Sequence, residues 1–81
     1  MHEIGERVRE IIAASFHVPP STISDATRAA DIEGWDSLAH ATLILRLQRI
    51  LKVRLDPGQA NAAQDVAGLT ALVSKAQRRN A

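Results

Sequence analysis

Near the start of the chain, hydrophobic residues recur at the spacing of an α-helix, with charged residues between them. This pattern predicts a helix over about residues 3–16. Its apolar stripe consists of Ile4, Val8, Ile11, Ile12 and Phe16. Two adjacent prolines end the helix, and residues 17–35 follow as a long connection. We expect Ile23 and Ile32 to anchor this connection in the core.

A second, longer apolar pattern predicts a helix over about residues 36–53. Its predicted core stripe consists of Leu43, Ile44, Leu47, Ile50 and Leu51. Three further hydrophobic residues lie on another face of this helix, on the same side as Ser37. They are Leu38, Ala41 and Leu45.

Two shorter patterns complete the chain. Asp56 followed by Pro57 is typical of a helix start and predicts a short helix over about 57–63. Asp65 can cap a last helix over about 66–78, which repeats Val66, Leu69, Leu72, Val73 and Ala76. The longest alternation of apolar and polar residues typical of a β-strand is the four-residue segment 52–55. The chain is therefore predicted to be a single all-α domain, residues 1–81, folded as a four-helix bundle with a long first loop and a short third helix.

Composition narrows the possible chemistry. The chain has no cysteine, so it can form neither a disulfide nor a thiolate metal site. Its histidines, at positions 2, 17 and 40, are too scattered for metal-ligand spacing. No apolar run approaches the roughly 20 residues that span a bilayer. The first residues lack the basic-then-apolar order of a signal peptide, so we expect a cytoplasmic protein without a membrane role.

The net charge is only +1, but the charges are unevenly placed. Seven of the nine acidic residues precede Ser37, and seven of the ten basic residues follow it. Four of the basic residues cluster at the end of the second predicted helix, namely Arg46, Arg49, Lys52 and Arg54. Such asymmetry restricts which surfaces can dock on the chain.

The run Gly34-Trp35-Asp36-Ser37-Leu38 carries the candidate chemistry. Asp36 can cap the free N–H groups of the second helix, while Ser37 faces water on its first turn. The positive end of a helix favours negative charge, so this hydroxyl is well placed to carry a phosphate. Trp35 is expected to pack at the junction of loop and helix.

Asp-Ser-Leu at the head of the second helix, with the helix order and flanking residues Val18-Pro19 and Asp31-Ile32, resembles the acyl carrier protein family. The resemblance implies that Ser37 holds a 4'-phosphopantetheine arm, which a phosphopantetheinyl transferase takes from coenzyme A. It further implies a non-catalytic monomer, which carries acyl or aminoacyl thioesters between biosynthetic enzymes.

The same resemblance gives roles to the neighbours of Ser37. Asp36 would orient the modifying enzyme, and Leu38, Ala41 and Leu45 would form a hydrophobic docking face. Carriers of fatty acid synthesis usually have an acidic second helix, whereas this one carries Arg46 and Arg49. Basic partner surfaces would bind it poorly, which indicates a specialised rather than a housekeeping carrier.

Three other interpretations fit parts of the sequence. His40 lies one helical turn from Ser37 and invites a Ser/His/Asp hydrolase, but an exposed helix end offers no oxyanion hole, so His40 is predicted to be a surface residue. The basic cluster could contact nucleic acid, although the chain lacks aromatic stacking platforms. A helical protein-interaction module without a prosthetic group would require the Asp-Ser-Leu match to be accidental.

Overall fold

The computed structural model describes residues 4–80, and within them the chain forms four α-helices. These are α1 (Ile4–Phe16), α2 (Ser37–Leu51), α3 (Pro57–Ala62) and α4 (Val66–Asn80). The prediction of an all-α, four-helix bundle with a long first loop and a short third helix is confirmed. The predicted start of the first helix at residue 3 lies outside the described residues, as do the first three of the N-terminal residues used to judge targeting.

The core lies between the apolar faces of the three long helices. α1 packs against both α4 and α2, and the short α3 closes the space between α2 and α4. The largest fully buried side chains are aliphatic and come from these three helices: Val8, Ile12, Leu43, Leu47, Val66, Leu69 and Val73. Burial of each such side chain contributes about 1.5–3 kcal/mol, which holds the head of α2 in a fixed place.

The long connection between α1 and α2 is packed by its own residues. It contains two single-turn 3-10 helices, Pro20–Thr22 and Ala29–Asp31. Ile23 is buried and Ile32 is half-buried against the core, so both predicted anchors are confirmed. The loop also pairs with the α3–α4 connection, because the N–H of Ala29 donates to the carbonyl of Gln64 at 2.8 Å.

Two predictions about α2 are wrong. The helix ends at Leu51 rather than at residue 53, because Lys52 adopts the left-handed conformation with φ 57°. The carbonyl of Gln48 accepts the N–H of Lys52, and the Gln48 side-chain oxygen accepts the N–H of Leu55 at 2.8 Å. Ile50 was predicted to be in the core but is 44% exposed, since it lies at the edge of the buried stripe.

The other boundaries differ less from the predicted ones. α3 ends at Ala62, one residue earlier than predicted, and α4 continues to Asn80 instead of residue 78. Across the described ranges, none of the helices has both the length and the apolar character required to cross a bilayer.

Candidate functional site

A tight turn and a side-chain cap determine where α2 begins. The N–H of Trp35 donates to the carbonyl of Ile32 at 3.2 Å, and Gly34 in this turn has φ 90°, a region that favours glycine. Asp36 then has an extended backbone, and its Oδ1 accepts the N–H of Ala39 at 2.9 Å. The cap therefore makes Ser37 the first residue of the helix.

Ser37 is exposed at this position. Two N–H groups of the first turn are already satisfied, because Ala39 donates to the Asp36 side chain and His40 donates to the Asp36 carbonyl at 2.8 Å. Within residues 4–80, the N–H groups of Ser37 and Leu38 have no hydrogen-bond acceptor. The Ser37 hydroxyl thus lies beside two free donors at the positive end of a 15-residue helix, where an attached phosphate would be stabilised.

The residues predicted to contact partners lie along the outside of the same helix. Leu38 is 78% exposed and Leu45 is 60% exposed, and Ala41 is exposed between them. Arg46 and Arg49 are also exposed, about two and a half and three and a third turns from Ser37. The structure therefore places these five residues and Ser37 on the solvent side of α2.

His40 is not a surface residue, and its prediction as one is wrong. Its side chain is only 4% exposed. Its Nδ1 accepts a hydrogen bond from Trp35 Nε1 at 2.9 Å, and its Nε2 lies 2.8 Å from the carbonyl oxygen of Ala60 in α3. Because the indole N–H can only donate and a carbonyl can only accept, the imidazole is the neutral tautomer with its proton on Nε2.

A signal in the sequence could have located this histidine. His40 precedes Leu43 by three residues and Leu47 by seven, so it belongs to the buried stripe of α2. Both of its ring nitrogens are occupied, and the Asp36 carboxylate is engaged by the helix backbone. This arrangement provides no base for Ser37 and therefore no hydrolase triad.

Trp35 connects this histidine to the rest of the bundle. It is 6% exposed and stacks on Phe16, the last residue of α1, with ring centroids 5.2 Å apart. The His40 ring lies within 20° of the indole plane with its centroid 6.0 Å away, and the two rings meet at the hydrogen bond from Trp35 Nε1 to His40 Nδ1. The prediction that Trp35 packs at the loop–helix junction is confirmed, and its contacts join α1, the loop and α2 directly beneath Ser37.

An open cleft lies beside Ser37, between the loop and the α3–α4 connection. Small and polar side chains line it, and these include Ala29, Ala30 and Gln64 together with Ser37. Trp35 and His40 form its floor. Across residues 4–80, no group of three or more metal-ligating side chains comes together, here or elsewhere.

Comparisons with known proteins agree with this geometry. A family model described as a phosphopantetheine attachment site matches residues 6–73. Among solved structures, the chain is similar to the solution NMR structure of a holo acyl carrier protein from Geobacter metallireducens, with 29% sequence identity and a TM-score of 0.82. That match covers 94% of this chain and 87% of the other. The comparison with curated proteins gives no match.

Proposed function

Because this chain belongs to the family of phosphopantetheine attachment domains, we propose that Ser37 is the residue to which its phosphopantetheine arm is joined. The chain is an acyl carrier of the acyl carrier protein type. When bound, the arm supplies a terminal thiol on which acyl groups are held as thioesters. The observation that carries the assignment to Ser37 is its exposed hydroxyl beside the free N–H groups of α2.

The other serines within the matched region suit the role less well. Ser15 is half-buried, and its hydroxyl donates to the carbonyl one turn earlier in α1 at 2.8 Å. The hydroxyl of Ser24 accepts a backbone N–H at 3.2 Å. Ser21 lies within a three-residue 3-10 turn, which has no macrodipole comparable to that of α2. Of the four, only Ser37 combines an exposed hydroxyl with the start of a long helix.

The attachment is a group transfer in which the protein supplies the nucleophile. On a phosphopantetheinyl transferase, Ser37 Oγ would attack the phosphorus that bears the pantetheine group of coenzyme A. The serine proton would be lost, and adenosine bisphosphate would leave with the electron pair of the broken P–O bond. The N–H groups of Ser37 and Leu38 are positioned to stabilise the resulting phosphodiester.

The remaining roles follow from the same position. We infer that the chain catalyses nothing itself and that tethering raises the effective concentration of its cargo at each partner enzyme. Exposed Leu38, Ala41 and Leu45 are the proposed docking face, with Arg46 and Arg49 at its far end. The alternative of a small nucleic-acid- or protein-binding module has no support in the comparisons. We expect the carrier to work where coenzyme A is supplied, for which the cytoplasm is the proposed compartment, because the transferase reaction consumes coenzyme A.

The direct test is the loading of the protein itself. Incubation with coenzyme A and a broad-range phosphopantetheinyl transferase is expected to add one arm per chain, seen as a single shift of the intact mass. Peptide fragmentation should then locate the arm on the peptide that contains Ser37. An unmodified mass under every transferase tested, or an arm on another serine, would contradict the proposal.

Asp36 has two separable roles, in the cap and toward the transferase. Asp36→Ala removes the cap and is expected to lower the free energy of unfolding by about 1 kcal/mol, measured by urea denaturation. Asp36→Asn keeps a capping oxygen and should change stability by less than about 0.5 kcal/mol. If the carboxylate orients the transferase, both variants will load with lower kcat/KM. Loading of Asp36→Asn at the wild-type kcat/KM would restrict Asp36 to its structural role.

A further inference from the structure

One helix carries all the large exposed apolar side chains of residues 4–80. These are Leu38 at 78%, Leu45 at 60% and Ile50 at 44% exposure, and each belongs to α2. Exposed apolar residues are ordinary when scattered over a surface, but their confinement to one helix marks an interaction face. We call this face, together with Thr42, Arg46 and Arg49, the α2 ridge.

The charges on the α2 ridge have a single sign. From Ser37 to Leu51 the helix contains no acidic residue. Arg46 and Arg49 flank a shallow groove with Leu45 and Ile50, and neither arginine has an ion-pair partner in the part of the chain that the structure describes. Elsewhere, by contrast, Arg9 is paired with Asp25 at 3.0 Å. The two guanidinium groups are therefore available for carboxylates of a partner.

The loop segment just before the ridge carries the opposite sign. Asp31, Glu33 and Asp36 are exposed in the segment that leads into Ser37. A uniformly negative partner, such as a nucleic acid or an anionic lipid surface, would be repelled there while it approached the arginines. A protein surface can match both the basic ridge and the acidic segment before it, because it can place acidic and basic groups separately.

Helix geometry fixes the spacing of this pattern. At a rise of 1.5 Å per residue, Arg46 and Arg49 lie about 14 and 18 Å along the helix axis from Ser37. We propose that the enzymes served by this carrier present a carboxylate-rich patch about 14–18 Å from the mouth of the channel that receives the arm. This inference rests on the proposed function, since it takes Ser37 as the point at which the arm enters the partner.

Two synthetic helical peptides of opposite charge test which sign of charge the α2 ridge binds. One alternates leucine with glutamate at helical spacing, and the other replaces every glutamate by lysine. Each is titrated into the ¹⁵N-labelled, arm-bearing protein at low salt, and amide shifts are followed by NMR. The acidic peptide is expected to shift amides between Leu38 and Ile50, and the shifts should weaken with added salt.

A matched pair of variants distinguishes binding at the α2 ridge from general electrostatic attraction to the protein. Arg46→Glu/Arg49→Glu should weaken binding of the acidic peptide at least about tenfold and should make the protein bind the basic peptide more tightly. The control is Arg78→Glu/Arg79→Glu, an equal charge change on exposed arginines at the end of α4. It should weaken binding of the acidic peptide less than about twofold.

Four outcomes would overturn the proposal: no binding of the acidic peptide, equal binding of both peptides, shifts centred on the end of α4, or equal loss in the two variants. Arm attachment is scored separately by intact mass on the wild-type protein. A loaded carrier without selective binding refutes the acidic patch alone, whereas failure to load refutes the assignment of Ser37.

Discussion

Ser37→Ala is expected to abolish attachment of the phosphopantetheine arm while the fold is retained. The substitution removes the only atom of residue 37 that can form the phosphodiester. Ser37 is exposed and the cap comes from the neighbouring Asp36, so the free energy of unfolding should change by less than about 0.5 kcal/mol. Intact mass after incubation with coenzyme A and a transferase measures the first effect, and urea denaturation measures the second.

Control variants come from the same chain. Ser21→Ala and Ser24→Ala remove exposed hydroxyls from the loop, and both should load fully. In Ser37→Ala itself, the four remaining serines (Ser15, Ser21, Ser24 and Ser74) serve as internal controls. Persistence of a one-arm mass shift in Ser37→Ala would show that another residue carries the group.

The long helices could be predicted because their apolar residues repeat at a single period. In α1 and α4 the predicted stripes agree with the buried faces, since side chains three and four residues apart share one side of a helix. The start of α2 could also be predicted from the sequence, because an N-cap depends only on residues within one turn. The N–H of Ala39 donates to Asp36 Oδ1 at 2.9 Å, and this local hydrogen bond does not depend on how the rest of the chain packs.

The end of α2 could not be predicted in the same way. Its left-handed residue is Lys52, whereas helix ends in this conformation are usually marked by glycine or asparagine. The turn is held instead by the side chain of Gln48, which reaches the N–H of Leu55. Neither residue signals a helix end by its type, so the hydrophobic pattern alone predicts a helix that continues to residue 53.

The prediction for His40, one of the two residues in the floor of the site, is wrong for a different reason. A stripe of hydrophobic residues alone includes Ile50, which is exposed, and omits His40, which is buried. A buried histidine is stabilised only if both ring nitrogens find partners, and one of these, Ala60, lies 20 residues away in α3. Spacing could have indicated that His40 faces inward, but its partner depends on how α3 packs.

His40→Ala is the substitution expected to cost the most stability near the site, about 2–4 kcal/mol. It removes two buried hydrogen bonds at once and leaves the Trp35 indole N–H and the Ala60 carbonyl without partners. It also leaves a cavity beneath the head of α2. Urea denaturation measures the effect, and Thr42→Ala, at an exposed position of the same helix, should change stability by less than about 0.5 kcal/mol. A similarly small change in His40→Ala would contradict the buried arrangement.

A double-mutant cycle of His40→Ala with Trp35→Phe measures the interaction between the two rings, of which the hydrogen bond is one part. Phenylalanine keeps an aromatic ring against Phe16 but has no N–H to donate to His40. If Trp35 and His40 act as one unit, the double variant should lose about 0.5–3 kcal/mol less than the sum of the two single losses. Additive losses would mean that each ring contributes only its own packing. Coupling would mean that the Trp35–His40 pair, which contacts α1 through Phe16 and α3 through Ala60, stabilises the head of α2 as one unit.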